Sequence, residues 1–183
     1  MKLKRLVSAI LAVGMALTML PTAAFAADTS KYVTDLNFEA NGQPVLEGKT
    51  TEVSNSSSPA NPTYKATNST WSWSYSGGSY KLDFVNNTIF NPINGSPATV
   101  PCAVRNSGTI EGGNFEQTVF NLSTGVINGG HFTKVEGRTT YNSNGQPTGS
   151  GIVTGGYIHT YFSNEGQWGG AGAKLNGGIV YGK

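Results

Sequence analysis

Cys102 is the only cysteine among the 183 residues of the chain. One thiol cannot form an internal disulfide, so stability has to come from packing and hydrogen bonding. As a nucleophile the thiol would need an activating base. Neither His131 nor His159, the two histidines, is tied to it by any spacing in the sequence.

Charge is also scarce. Asp, Glu, Lys and Arg make up 12% of the chain, about half the share of an ordinary globular domain. A basic patch of the kind that holds nucleic acid is absent. Long apolar runs are missing too. The longest, Leu6 to Leu20, is interrupted by Ser8, Gly14 and Thr18, and a membrane span needs roughly 20 apolar residues.

The familiar site motifs are missing as well. The calcium-binding repeat G-G-x-G-x-D does not occur: in the four repeats Gly-Gly is followed by Asn-Phe, His-Phe, Tyr-Ile or Ile-Val. His131 and His159 stand 28 residues apart, without the close spacing of zinc ligands. Neighbouring turns of a repeat fold could bring them together, and a structural surface role is the simpler reading. None of the Gly-Gly pairs is followed by the Gly-Lys-Ser/Thr of a phosphate loop. No metal and no cofactor is therefore expected. Glycoside hydrolysis needs two carboxylates roughly 5–10 Å apart. The candidates, Glu111, Glu116, Glu136, Glu165 and Asp83, share no repeat position. A lyase would want clustered acids with a basic partner, and Arg105, Lys134, Arg138 and Lys174 are scattered. No catalytic residue is assigned.

What is present begins with an export signal. Lys2, Lys4 and Arg5 form a basic start, the apolar run follows, Pro21 ends it, and Ala24-Phe25-Ala26 has the small-x-small form of a cleavage site. Residues 1–26 read as a signal peptide cleaved before Ala27, with no cysteine there to carry lipid. The mature chain would hold nine basic against ten acidic residues, a formal charge of −1. The expected location is extracellular, in free or cell-surface-associated form, with no membrane span after cleavage and no nucleic-acid partner.

Residues 27–66 hold short strand-like patches, Lys31-Tyr32-Val33 and Leu36-Asn37-Phe38, then a polar linker, Ser54 to Thr63. Residues 67–183 carry the main architecture. Trp71, Trp73 and Tyr75 alternate with serines, and Tyr80, Leu82 and Phe84 alternate with Lys81 and Asp83. With Ser76-Gly77-Gly78-Ser79 as the turn, this predicts a β-hairpin with both trios on one face.

From residue 108 the chain repeats itself. Gly108–Phe115, Gly125–Phe132, Gly151–Ile158 and Ala173–Val180 follow the pattern G-x-Φ-x-G-G-x-Φ, with starts offset by 17, 26 and 22 residues. A weaker relative sits at Asn87–Asn91. Repeats of this length predict stacked units that cannot bury an apolar face alone. Ile110 and Phe115 are five positions apart and would face opposite sides of a flat strand. A Gly-Gly corner resets the phase and lets both point inward. Two apolar ladders follow, Ile110-Ile127-Val153-Leu175 and Phe115-Phe132-Ile158-Val180, with Glu111, Asn128, Thr154 and Asn176 outside. The segment Arg138 to Ser150 should loop out. The fold class expected is all-β, a β-helix-like solenoid preceded by an aromatic hairpin. A glycine-rich antiparallel sandwich is the competing architecture.

The run Gly108–Phe115 with Leu122–Phe132 resembles the glycine-rich repeats of proteins secreted or displayed by gut-type Gram-positive bacteria. That resemblance implies a parallel β-helix and an extracellular setting, and no particular activity. The last repeat closes at Tyr181-Gly182-Lys183 with no cap in view. Either truncation or pairing of the open rung with another copy is expected.

Trp71, Trp73, Tyr75 and Tyr80 are the first ligand-binding candidates. Alternate strand residues lie about 6.6 Å apart, a workable spacing for stacking on sugars. The alternative is that this face packs inward as a cap on the repeats. Trp168, in a glycine-rich loop, is the fifth candidate. Together these features predict a non-enzymatic adhesive repeat protein whose partners are extracellular polysaccharide or host and bacterial surface glycans. A polysaccharide lyase or hydrolase and a self-associating surface protein are the alternatives.

Overall fold

The computed structural model describes residues 31–34, 36–40, 42–45, 50–53, 63–92, 97–141, 143–144, 146–149, 151–165 and 174–182. The export signal, nearly all of the polar linker and Trp168 lie outside them. The described chain is all-β, with no α-helix and so no helix long and apolar enough to cross a membrane.

Strands β1 (Thr50–Val53), β2 (Thr63–Ala66), β3 (Trp71–Ser76) and β4 (Ser79–Phe84) pair antiparallel in that order. The turn between β3 and β4 is Gly77-Gly78, with φ of 58° and 81°. Positive φ at both central residues is what a two-residue hairpin matching the strand twist requires. Trp71 faces Phe84, Trp73 faces Leu82 and Tyr75 faces Tyr80, so the two trios share one face as expected.

Beyond β4 the same sheet turns parallel. Strands β7 (Ala103–Asn106), β9 (Asn114–Asn121), β11 (His131–Arg138), β15 (Tyr157–Glu165) and β17 (Ile179–Val180) follow side by side. The short β6 (Thr99–Val100) pairs with the start of β9, where β7 has not yet begun. A second sheet is parallel throughout: β5 (Ile89–Phe90), β8 (Thr109–Ile110), β10 (Val126–Ile127), β14 (Ile152–Val153) and β16 (Lys174–Leu175). Strands β12 (Thr140–Tyr141) and β13 (Pro147–Gly149) form a separate antiparallel pair inside the predicted insertion. Consecutive repeats therefore pair parallel and in register, which the antiparallel alternative does not allow.

Each repeat contributes one strand to each sheet, and the Gly-Gly pair makes the corner between them. Its second glycine has positive φ, 105° at Gly113, 117° at Gly130, 99° at Gly156 and 96° at Gly178. Its first glycine lies against the preceding repeat, where a Cβ on Gly155 would come 2.2 Å from the Asn128 carbonyl oxygen. One glycine thus supplies a backbone angle and the other a close approach.

The first three members of each predicted ladder point inward: Ile110, Ile127 and Val153 form one, and Phe115, Phe132 and Ile158 the other, all at most 1% exposed. The fourth members differ, Leu175 being 43% exposed and Val180 partly buried. Phe90 of the weaker relative begins the first, opposite Ile110. A third ladder runs Trp73, Leu82, Val104, Val119, Val135 and Phe162 across six strands. Phe84, Phe90, Phe115 and Phe132 form a continuous spine, with successive ring centroids 5.0, 5.5 and 4.9 Å apart. Each such pair adds about 0.5–1.5 kcal/mol beyond its buried area.

Two asparagines, 106 and 121, are fully buried between the sheets. Asn106 Nδ2 donates to Asn121 Oδ1 at 2.9 Å, and Asn121 Nδ2 donates to the Gly125 and Ile152 carbonyls at 3.2 and 3.3 Å. These bonds satisfy backbone carbonyls at the bend leading to the second sheet, which would otherwise be costly inside a core. Nor does the segment before residue 67 stand apart. Val33 and Leu36 are buried in the same core, Val33 N donates to the Ile89 carbonyl at 3.0 Å, and β2 continues the hairpin sheet.

Candidate functional site

The register of the large sheet brings its exposed side chains into columns. The position before the second Φ of the motif places His131 beside Tyr157 and Tyr157 beside Ile179. The position after that Φ holds His159 and Tyr181. Because the Φ side chain points inward, both flanking positions point outward.

Four of these side chains form a ring cluster on the surface. His131 stacks on Tyr157 at 4.9 Å and 12°, and His159 on Tyr181 at 5.8 Å and 11°. The two histidines are 5.6 Å apart between centroids and Tyr157 and Tyr181 6.4 Å. His131 Nδ1 and His159 Nε2 meet at 3.3 Å. Tyr157 is 40% and Tyr181 66% exposed, and exposed rings gathered into one patch, rather than scattered singly, are what marks an interaction surface.

A β-bulge positions the next group. Phe132 and Lys134 of β11 lie opposite Ile158 and Tyr161 of β15, so β15 carries one extra residue at His159-Thr160. Bulges of this kind re-aim side chains. Lys134 then lies over the Tyr161 ring, its Nζ 5.1 Å from the centroid. Lys134 and Arg138 both form ion pairs with Glu136, the second at 3.2 Å. Burial pushes the Glu136 carboxyl up, but the hydrogen bonds from Lys134 and Arg138 outweigh it and hold the group below its ordinary range. Arg138 also stacks its guanidinium over Phe120 at 4.3 Å.

Farther along the same face, one row runs Ser72, Asp83, Arg105, Phe120, Glu136 and Ser163 over six strands. Arg105 pairs with Asp83 at 3.6 Å. Burial nevertheless pushes the Asp83 carboxyl up, against the opposing pull of Arg105 and Lys81. Two adjoining hollows open here, of about 290 and 370 Å³, sharing Lys81 and Phe120 in their walls. Arg105 and Arg138 complete the first, while Ser74, Ser76 and Ala103 help line the second. Lys81, Arg105 and Arg138, remote in the sequence, thus converge on one face, whereas Lys174 lies on β16 of the second sheet.

Two carboxylates stand in this row. Asp83 and Glu136 sit three strand steps apart in their row, about 14 Å at the usual strand spacing. That exceeds the 5–10 Å across which two carboxyl groups cooperate on a glycosidic bond. Cys102 is buried, and that burial pushes its thiol up to about 12, far from a thiolate at neutral pH.

The binding residues expected from the sequence are placed differently. Trp71 and Trp73 are 1% and 0% exposed. Tyr75 and Tyr80 are partly buried against the same core, and Tyr80 also lines the second hollow. Trp73 lies between Tyr64 and Tyr80, with centroids 5.3 and 5.4 Å away. The hairpin face therefore packs inward, and these four residues do not form an open stacking platform. The reason is energetic: rings of this size gain most when removed from water. The exposed rings at His131, Tyr157, His159, Tyr161 and Tyr181 were not singled out as a group. Their signal lies in aligning the repeats, since His131 and Tyr157 share one motif position. No protein-family model, curated protein or solved structure matches this chain.

Proposed function

We propose that the stacked repeats form a β-solenoid, and that the exported protein is a non-enzymatic binding module for an extended polar polymer. An extracellular polysaccharide or a surface glycan is the class of partner. The parallel, in-register stacking of β5, β8, β10, β14 and β16, and of β9, β11 and β15, supports the solenoid. One observation carries the function: the outer face of the large sheet gathers the exposed tyrosines, the two histidines and the cation-lined hollows. The second sheet shows no comparable concentration. Its outer column is a hydrogen-bonded polar ladder, Asn128 donating to Glu111 at 3.0 Å and Thr154 to Asn128 at 2.6 Å. Tyrosine suits a sugar ligand because it offers an apolar ring and a hydroxyl at once.

The test is co-sedimentation of the protein with insoluble polysaccharides, mucin and bacterial cell walls, with released reducing sugar followed in the same tubes. Saturable binding without sugar release is expected. Tyr161→Ala and Arg138→Ala should each weaken it about tenfold, as truncation of a central ring or arginine does. Sugar release would overturn the non-enzymatic reading. Binding that both variants retain in full would remove this face from the account. Self-association is the second reading, favoured by Leu175 and Ile179 at 43% and 47% exposure on β16 and β17. Concentration-dependent light scattering without any ligand would support it instead.

A further inference from the structure

The contact between His131 and His159 joins strands that are adjacent in space and 28 residues apart in sequence. We propose that these two imidazoles form a surface site for a divalent transition-metal ion, with water completing the coordination. The argument is independent of the polymer-binding reading.

The separation of the two nitrogens is the first ground. His131 Nδ1 and His159 Nε2 are 3.3 Å apart. Two imidazole nitrogens bound to one ion at about 2.0–2.1 Å, with a tetrahedral angle between them, stand about 3.3–3.4 Å apart. The two nitrogens already stand at the required distance, on rings 16° from parallel with centroids 5.6 Å apart. In the metal-free protein one nitrogen donates its proton to the other. On binding, that proton moves to the other nitrogen of the same ring, both facing lone pairs become available, and a small turn of each side chain brings them onto one ion.

Support of the rings is the second. His131 stacks on Tyr157 and His159 on Tyr181, at 12° and 11° between planes. Stacking holds each imidazole near one orientation, so less side-chain freedom is lost when metal binds. The bulge in β15 fixes where His159 emerges. Among the described residues no third His, Cys, Asp or Glu joins the pair in a metal-binding group. A site with two imidazoles and open positions suits Cu²⁺ first, then Ni²⁺ and Zn²⁺, and does not suit Ca²⁺ or Mg²⁺, which take oxygen ligands.

The experiment is calorimetric titration of the tag-free chain with Cu²⁺, Ni²⁺ and Zn²⁺, with Ca²⁺ as the control. One ion per chain is expected, tightest for Cu²⁺. His131→Gln and His159→Gln should each weaken Cu²⁺ binding by about tenfold or more, because each leaves a single imidazole. The Cu²⁺ electron paramagnetic resonance spectrum should report two nitrogen ligands in the native chain and one in each variant. Tyr75→Phe, on the inward face of the hairpin, should leave the affinity unchanged. Both histidines are exposed, so circular dichroism should show the variants folded. Equal affinity in the native chain and either histidine variant would overturn the site, as would a spectrum that loses no nitrogen in the variants or the lack of any saturable binding.

Discussion

Two sets of aromatic side chains occupy the same sheet and have opposite fates. In the hairpin, Trp71 and Trp73 alternate with serines and end up sealed in the core at 1% and 0% exposure. In the repeats, Tyr157, Tyr161 and Tyr181 stand on the outer face at 40%, 42% and 66%. Period-two alternation says that each trio shares a face. It does not say which face is inside. That is decided by what continues the ladder: Trp73 is followed by Leu82, Val104, Val119 and Val135, whereas Tyr157 is flanked by His131 and Ile179 in a column that Thr99 and Asn114 begin. The apolar column of Trp73 is buried from Trp73 through Val135, and the mixed column of Tyr157 is left in water.

The largest expected effect tests this contrast through stability. Trp73→Ala removes a fully buried indole and should cost about 3–5 kcal/mol in denaturant unfolding. Tyr181→Ala should change stability by less than about 0.5 kcal/mol, as exposed positions usually do. Trp73→Phe sharpens the point. It keeps a ring between Tyr64 and Tyr80 and removes a buried indole N–H that lacks a hydrogen-bond partner. It should therefore cost much less than the alanine change. Equal losses for Trp73→Ala and Tyr181→Ala would break the division into inner and outer rings.

The next comparison sets the repeat glycines against those of the hairpin. A Cβ at Gly155 would meet the Asn128 carbonyl oxygen at 2.2 Å, and the Asn128 backbone is itself tied to the preceding repeat, its N–H donating to the Ile110 carbonyl at 2.8 Å. Gly155→Ala should cost about 1–3 kcal/mol, the range for forced overpacking. Gly78 has φ of 81° and nothing within 4 Å of its would-be Cβ. Gly78→Ala should cost only the left-handed strain of about 1–2 kcal/mol. Thermal unfolding of the two variants side by side measures the difference, and a larger loss at Gly78 would contradict the stacking argument.

The same reasoning explains how far the sequence could be read. The spacing of Gly-Gly and Φ announces the corners and two of the ladders, because both are fixed by local backbone geometry. The insertion at 138–150 was legible for the same reason: it separates two otherwise regular repeats. The third ladder was not legible. Val119 and Val135 lie in stretches without the motif, and only strand register reveals that they meet. Asn106 and Asn121 read as ordinary polar residues, since nothing local marks a side chain that will bridge two repeats inside the core. The site was hidden for a related reason. Lys81, Arg105 and Arg138 are remote in sequence, and their convergence depends on the bend that makes β4, β7 and β11 parts of one parallel sheet.

The smallest effect separates two carboxylates on the outer face that titrate in opposite senses. Glu136 is held below its ordinary value of 4.5 by Lys134 and Arg138, whose hydrogen bonds outweigh its burial. In the window below 4.5 the unfolded chain therefore binds more protons, so stability rises with pH and is lost as pH falls through the folded-state value. Asp83 is raised above its ordinary value of 3.8 by burial, against Arg105 and Lys81. In the window just above 3.8 the folded chain binds more protons there, so this group lowers stability as pH rises. Unfolding midpoints measured from pH 3 to pH 6 should separate the two. Glu136→Gln should flatten the acid loss of stability, and Asp83→Asn should steepen it. Both changes should stay modest, because Asp83 and the cations around Glu136 are partly solvated and exposed pairs contribute about 1 kcal/mol or less. If both variants move the acid limb in the same direction, the two carboxylates do not differ as their surroundings require. If they move it apart, a single row of the outer face holds one carboxylate governed by its cations and another governed by its burial.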